Sequence, residues 1–480
     1  MEKNNYLHIK APFRTNFSLR ESNVLDRGIK YGQFWKKFRD SNPGILDGGK
    51  KINIEYCHAH EETDTLQFES IAEDSNLLKA FSPIVLNIIP EEWFDDLVED
   101  QVQKLLGKHF EQAQPVLSYE KNSTCITMFK NTVANIDLLF RLNIQNKEAT
   151  PEVINKIEAF SNEFSVNIVK FTYTNIIYPL IQKLHKLDDK YNFISQINHH
   201  PGFPDIHEEK TEKKRLNRHV KCGIPLWVSR VLIAGEKNTD FEELIKNWVI
   251  SIKSKDEIIE QFNNTHLDEK NSIFMGWMHS LILGQPEEGV VQDALHSLSL
   301  AQYFYAVFDS INTSLSQIIG ISYKKKALND TRQYKELLEE TVFVNSLLKV
   351  EFADITQSMQ RNRASFFHEL VERWTIDNLK DNVEKKTLIC KENIQKIYQR
   401  AFNKSQKIAE LLLLFISGFA ILEFLKGLSE FFWEPASIAK DVPGLYDLGK
   451  SIAPNSMMWI GIILFLVVFV IYLSILNKRK

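Results

Sequence analysis

The chain has 480 residues and a formal net charge of −4, which excludes a generally basic protein that binds nucleic acid directly. With 44% hydrophobic and 25% charged residues, the composition is typical of a globular protein and excludes a disordered one. The four cysteines, Cys57, Cys125, Cys222 and Cys390, are widely separated. Such scattered thiols are typical of a reducing, cytosolic environment.

Residues 1 to about 235 alternate short apolar runs with helical patterns, which predicts an α/β or α+β domain over residues 1–288. The candidate strands, rich in β-branched and aromatic residues, are 123–129, 165–173 and 226–234. The candidate helices are 91–112 and 150–164, and the second starts with the capping sequence Thr150-Pro151-Glu152. No apolar stretch follows the N-terminus, so we predict no secretory signal and place this ligand-sensing domain in the cytosol.

Two groups of residues carry metal-ligand chemistry. Cys57, His58 and His60 lie within four positions. A denser group contains His199, His200, Asp205, His207, Glu208 and Glu209. Zinc sites usually need four ligands, and no second cluster lies at a suitable spacing from the first. A divalent metal could use the second group, but loops rich in His and acids are more often solvated, so both alternatives stay open for each group.

A basic cluster precedes the third candidate strand. Its members are Lys210, Lys213, Lys214, Arg215, Arg218 and Lys221, and Trp227 and Arg230 follow closely. Lysine and arginine donate hydrogen bonds to phosphate, and an aromatic ring or a guanidinium can stack on a base. The cluster is either a solvated surface or a site for a small anionic ligand, of which a nucleotide activator is the most attractive candidate.

Residues 289–407 are expected to form a helical stalk, because no Gly or Pro occurs between Gly320 and Gly418. A helix over 289–320 leads into one or two longer helices. Two apolar rows recur every seven residues along the end of the stalk, namely Ile376, Val383, Cys390 and Ile397, and Thr387, Ile394, Ala401 and Ile408. This narrow seam indicates packing either between helices of several subunits or within one chain.

The C-terminal region contains two apolar segments, 408–425 and 457–476. Twenty helical residues span about 30 Å, the hydrocarbon thickness of a bilayer. We predict a first transmembrane helix with its extension over 408–432, an external loop over 433–456, a second transmembrane helix over 457–476 and a basic tail over 477–480. The first segment could alternatively be an amphipathic helix that lies in the membrane interface.

Basic residues flank the two segments on the side away from the connecting loop. They are Lys391, Lys396, Arg400, Lys404 and Lys407 before the first segment and Lys478, Arg479 and Lys480 after the second. The positive-inside rule therefore predicts a multi-pass protein of the bilayer with both termini in the cytoplasm.

One face of the first segment has the pattern of a pore lining. Glu423, Gly427 and Glu430 follow one another at spacings of four and three, so several copies around an axis would form rings of carboxylates that concentrate cations. Alternatively, these acids mark where the helix leaves the bilayer. Leu413, Ile416 and Ala420 would form a hydrophobic constriction. No phosphate loop, nucleophile elbow or His-Glu-x-x-His motif occurs, so an enzyme is not indicated.

This arrangement of an N-terminal α/β domain, a long helix, two spans and a basic tail resembles the CorA family of divalent-cation channels. The resemblance implies a homo-oligomer, with five subunits, whose first span lines the pore. The family ends this span with Gly-Met-Asn, whereas this chain has Gly427-Leu428-Ser429. Ser429 offers only a hydroxyl, so the resemblance does not imply magnesium selectivity, and a divalent cation is one candidate permeant ion.

CorA-like proteins with divergent pore motifs occur as membrane effectors of type III CRISPR antiviral defence, and this chain is similar to that subgroup. The resemblance implies a channel in the bacterial inner membrane that opens when a nucleotide second messenger binds to the cytosolic domain. The alternative hypothesis is a membrane-anchored sensor or scaffold that conducts no ions.

Overall fold

A computed structural model of the protein describes residues 5–19, 28–56, 84–110, 116–143, 150–188, 192–194, 222–234, 248, 272–284, 287–322, 331–359, 361–433, 453, 455–456, 459–463, 465–467 and 469–470. The chain divides into two compact units. We call Met1–Lys391 the head and Glu392–Lys480 the C-terminal unit.

The described part of the head contains one nine-stranded sheet. Its strands are β1 (Asn5–Ser18), β2 (Ile52–Tyr56), β3 (Ile84–Pro90), β4 (Leu117–Tyr119), β5 (Cys125–Phe129), β6 (Asn131–Leu142), β7 (Ser229–Ala234), β8 (Ser272–Phe274) and β9 (His279–Leu283). They lie in the order β2-β3-β5-β6-β1-β7-β9-β8, and β4 pairs with the end of β6. Of these pairs, β7 and β9 alone run parallel. The head is therefore a mixed α/β structure, as predicted, with mainly antiparallel pairing.

One face of the sheet is apolar and carries the main core. Leu7, Ile9 and Ala11 alternate along β1, and Leu138 and Phe140 alternate along β6, all fully buried. Successive strand residues point to opposite faces, so this alternation places every second side chain in the core. The predicted strands over 123–129 and 226–234 are confirmed as β5 and β7.

Four helices pack on this apolar face. They are α1 (Gly28–Asp40), α2 (Glu92–His109), α3 (Pro151–Thr172) and α4 (Tyr178–Leu187), and a π-helical turn over Tyr173–Ile177 joins the last two. Their buried residues belong to the same core cluster as the strands. The predicted helix over 91–112 is confirmed as α2. Helix α3 begins at its predicted cap, where the Val153 amide donates to Thr150 Oγ1 at 3.4 Å.

The predicted strand over 165–173 is wrong, because α3 continues through these residues into the π-helical turn. Of the β-branched residues that suggested a strand, Ile168, Val169 and Thr172 lie on the buried face of the helix, whereas Val166 is 47% exposed. Ser165, Ile168, Val169 and Thr172 are fully buried at spacings of three, four and seven, which is the helical repeat. Burial of this face against the sheet outweighs the strand preference of the individual residues.

A second set of helices follows the sheet in the chain. These are α5 (Glu288–Ser322), α6 (Thr331–Ser358), α7 (Arg361–Arg373) and α8 (Ile376–Trp433), the last of which extends into the C-terminal unit. The stretch without Gly or Pro is thus more segmented than the predicted one or two helices. Between α7 and α8, Thr375 has φ of 51°, a left-handed conformation that ends one helix without a glycine.

The apolar seam at the start of α8 packs within the chain. Ile376, Val383 and Cys390 are buried in the head, and Cys390 Sγ lies 3.8 Å from the Leu315 carbonyl oxygen of α5. The first part of the seam, as far as Cys390, therefore packs within one chain, which is the second of the two arrangements predicted for it. Further along, Ile408 of the second row is 55% exposed, so the described chain leaves that position uncovered.

Candidate functional site

Within the described residues, one helix is long and apolar enough to cross a membrane. It is the part of α8 from Ser405 to Gly427, which overlaps the predicted first span. Only 6% of this segment is buried in the protein. A soluble core helix of this composition would be mostly buried, so the exposed apolar surface is suited to lipid or to other copies of the chain.

One face of this helix packs on the described residues between 459 and 470. A Cβ atom on Gly418 would lie 2.1 Å from the Phe465 ring, and a Cβ on Gly461 would lie 2.3 Å from Leu425 Cδ1. The Phe415 ring contacts Phe465 and Phe469 at centroid distances of 6.3 and 5.8 Å. The two segments therefore pack antiparallel, with glycines where they approach most closely. Small residues have this role in many membrane helix pairs.

The predicted pore residues lie on another face of the same helix. Leu413, Ile416, Ala420, Glu423 and Gly427 are all exposed, and no heavy atom of the described residues outside its own helix backbone lies within 4 Å of the Cβ position of Gly427. Gly418, the closest packing point, is two residues from both Ile416 and Ala420, a rotation of about 200° at 3.6 residues per turn. The pore face and the packing face are therefore nearly opposite. Ser429 and Glu430 lie in the last turns of α8.

In the head, a cluster of charged residues lies on the sheet face opposite the main core. Lys10 Nζ donates to Asp137 Oδ2 and to Ser299 Oγ, the latter at 3.0 Å, and His8 Nδ1 pairs with Asp137 Oδ1. Lys10 is 2% exposed. This ion cluster joins neighbouring strands β1 and β6 to α5, and it places one carboxylate between two basic groups.

Further hydrogen bonds hold α5 on the same sheet face. Asn135 Nδ2 donates to Gln302 Oε1 at 3.0 Å, and Gln302 Nε2 donates to Ser229 Oγ at 2.8 Å. Asn131 Nδ2 donates to the Tyr303 hydroxyl at 2.9 Å. All these residues are buried, so the contact between α5 and the sheet includes a buried polar network.

We expect the ion cluster to make the head less stable in acid. Burial raises the pKa of Asp137, but His8 and Lys10 outweigh this effect and lower the pKa to about 2. The side chain of Asp in an unfolded chain has a pKa of about 3.9. Since the folded pKa is lower, the carboxylate stabilises the head above the unfolded pKa. This contribution, about 2 kcal/mol, is lost as the pH falls through the interval between the two pKa values.

Urea unfolding followed by tryptophan fluorescence at about pH 6 and about pH 3 would measure this loss. The variant Asp137→Asn should be less stable than the wild type at the higher pH and should lose less stability on acidification. An equal loss in both proteins would contradict the assignment.

The predicted ligand cluster from Lys210 to Lys221 lies outside the described residues, as do the two groups of candidate metal ligands around Cys57 and His199. Trp227 is described, and its ring packs against Trp277 and Tyr305 at centroid distances of 5.5 and 5.7 Å. Trp277 also contacts Trp374 at the end of α7. Among the described residues, no three His, Cys, Asp or Glu side chains are placed to hold a metal ion.

Arg230 lies inside the head, with its side chain fully buried. Its guanidinium donates to Asn162 Oδ1 on α3 and lies 3.9 Å from the Glu158 carboxylate. Burial lowers the pKa of Arg230 to about 10, and Glu158 partly opposes this shift. A buried guanidinium is better placed to donate a hydrogen bond to a buried acceptor than to stack on a base at the protein surface.

No protein-family model matches the sequence, and no curated protein or solved structure matches it at a significant level. The functional proposals therefore rest on the apolar helix of the C-terminal unit and on the polar groups of the head.

Proposed function

We propose that the chain is the subunit of an oligomeric, cation-conducting channel of the bacterial inner membrane, built like the CorA channels. The observation that carries the proposal is the two-faced helix Ser405–Gly427. One face packs on the described residues between 459 and 470, and the opposite face presents the exposed carboxylate of Glu423 near the end of the apolar segment, three residues before Lys426.

A carboxylate on an apolar helix limits the surroundings that this face of the helix can have in a membrane. Charged side chains cost several kcal/mol at the bilayer centre and usually face a water-filled cavity or other protein. Several subunits around a common axis would supply such a cavity, with Glu423 and Glu430 forming rings that attract cations. Leu413, Ile416 and Ala420 would form the narrow apolar part, which closes by excluding water.

The second span of the proposal is residues 457–476. The contacts of Phe469, Phe465 and Gly461 with successively later positions on the first helix support a hairpin. A hairpin returns the chain to its starting side, so both termini would lie in the cytoplasm, in agreement with the basic flanking residues. The head would then lie in the cytoplasm as the ligand-binding part.

Opening requires a ligand that binds the open and closed arrangements with different free energies. The proposed ligand is a small anionic molecule, with a nucleotide second messenger of type III CRISPR defence as the candidate implied by the CorA-like subgroup. The basic cluster from Lys210 to Lys221 would supply donors for its phosphates.

We predict that Ile416→Asn makes the channel leak ions without ligand. An amide in the constriction favours water in the closed pore and removes the barrier that dewetting creates. Purified wild-type and variant proteins, reconstituted into liposomes loaded with a cation-sensitive dye, would report the leak. Ile421→Asn is the matched control, because Ile421 is also exposed in this helix but lies about 140° around it from Ile416.

A leak through Ile416→Asn and not through Ile421→Asn supports the pore face. Two tight variants would favour the alternative function, a membrane-anchored sensor without conduction. Equal leaks through both variants would indicate general damage to the membrane helices and would contradict the assigned pore face.

A further inference from the structure

Two buried basic side chains lie side by side on the parallel strands β7 and β9. Arg230 and His279 are direct partners in the register of this pair, so both side chains point to the sheet face that α3 covers. Arg230 is fully buried and His279 is 7% exposed. On its other side, the His279 ring contacts Trp248 at a centroid distance of 5.3 Å.

The hydrogen bonds of this pair are incomplete. Arg230 Nη2 donates to Asn162 Oδ1 and, at 3.4 Å, to the Glu158 carbonyl oxygen, and Nη1 reaches the Val228 carbonyl oxygen at 3.5 Å. Among the residues that the structure describes, Arg230 Nε has no hydrogen-bond partner, and neither ring nitrogen of His279 has one. Buried polar groups in proteins are nearly always hydrogen-bonded, so the Nε–H of Arg230 and a ring N–H of His279 at one place indicate an acceptor that the described residues do not supply.

We propose that Arg230 and His279 bind an oxyanion, the phosphate or carboxylate group of a ligand. One oxygen would accept from Arg230 Nε–H and another from a ring N–H of His279. Hydrogen bonds between charged partners are about twice as strong as neutral ones, and the buried guanidinium gains most from such a partner.

Glu158 places a carboxylate near Arg230, and this carboxylate forms no hydrogen bond to the guanidinium. Its carboxylate is 33% exposed and lies 3.9 Å from Arg230 Nη1, beyond hydrogen-bonding distance. Glu158 therefore offsets part of the positive charge without satisfying Nε. An incoming oxyanion would compete with this carboxylate for the guanidinium.

The role of this site rests on the proposed channel function, because the bound oxyanion would be the group that anchors the gating ligand. The binding of an oxyanion does not rest on that function. Binding itself is measured without ion flux. A failed flux experiment therefore leaves the binding result intact, and the reverse also holds.

The test is isothermal titration of the full-length protein in detergent with inorganic phosphate and, separately, with ATP as a nucleotide probe. His279→Phe removes the ring donors and retains an aromatic contact for Trp248, and Arg230→Gln removes the charge. We expect each variant to weaken binding at least about tenfold, the value of one lost charged hydrogen bond. Arg141→Gln is the control, since Arg141 pairs with Glu120 at a partly exposed position.

Binding of ATP but not of phosphate would show that the site anchors a larger ligand, and binding of both would show that the oxyanion alone suffices. No binding of either probe would overturn the proposal. Unchanged affinity of a folded His279→Phe variant would also overturn it, whether or not Arg230→Gln folds.

Discussion

Replacing Glu351 by glutamine is expected to lower the free energy of unfolding of the head by about 3 to 5 kcal/mol. Glu351 on α6 is 5% exposed, and its Oε2 lies 2.9 Å from Lys130 Nζ at the turn between β5 and β6. Glutamine removes the counter-charge that Glu351 supplies to the largely buried ammonium of Lys130, and this loss of charge compensation dominates the cost. Urea unfolding followed by tryptophan fluorescence would measure the change.

The pair Lys349–Glu384 provides the comparison, because it joins α6 to α8 where Glu384 is 55% exposed. Water screens such a pair, so Glu384→Gln should cost far less. The double variant Lys130→Met with Glu351→Leu should recover much of the lost stability, since apolar residues of similar volume often replace a buried pair well. If Glu351→Gln and Glu384→Gln cost the same, the buried pair does not hold α6 as described.

The second large effect is expected from Gly418→Leu in the C-terminal unit. The Phe465 ring lies where the new side chain would start, and it also contacts Phe415 and Phe469, so it cannot move without displacing them. Overpacking of this kind costs about 1 to 3 kcal/mol. We expect the purified variant to aggregate at a clearly lower temperature than the wild type when heated in detergent, as measured by light scattering.

Gly427→Leu is the matched control, because the same change is made in the same helix at a position without neighbours within 4 Å. Leucine favours a helix over glycine by nearly 1 kcal/mol, so this control should be neutral or slightly stabilising. Equal aggregation temperatures for the two variants would mean that the glycine contact with Phe465 contributes nothing.

Local pattern was sufficient to predict the elements whose structure depends on their own residues. The cap at Thr150, the strand β7 and the apolar helix from Ser405 to Gly427 all follow from neighbouring residues in the chain. The same reasoning failed at residues 165–173, where strand-forming residues are also spaced for the buried face of a helix. Which of the two patterns wins depends on what the segment packs against.

Arg230 was among the candidate ligand residues, but the polar contacts of the head were missed for a different reason. Asp137 meets His8 and Lys10 because β1 and β6 are adjacent, and Arg230 meets His279 because β7 and β9 are adjacent. Both contacts join distant parts of the chain, and neither strand order nor register follows from local composition. The alternation of His8 and Lys10 with Leu7 and Ile9 was the one available signal, since it predicts a strand with one polar face.

The polar contact between α5 and the sheet limits how this helix can shift. An apolar interface tolerates small displacements, because dispersion contacts are numerous and non-directional. The hydrogen bonds of Gln302, Tyr303 and Ser299 are directional and have one set of partners. An axial displacement of even half a helical turn would break all of them together, so any slippage of α5 would be an all-or-none event with a substantial barrier.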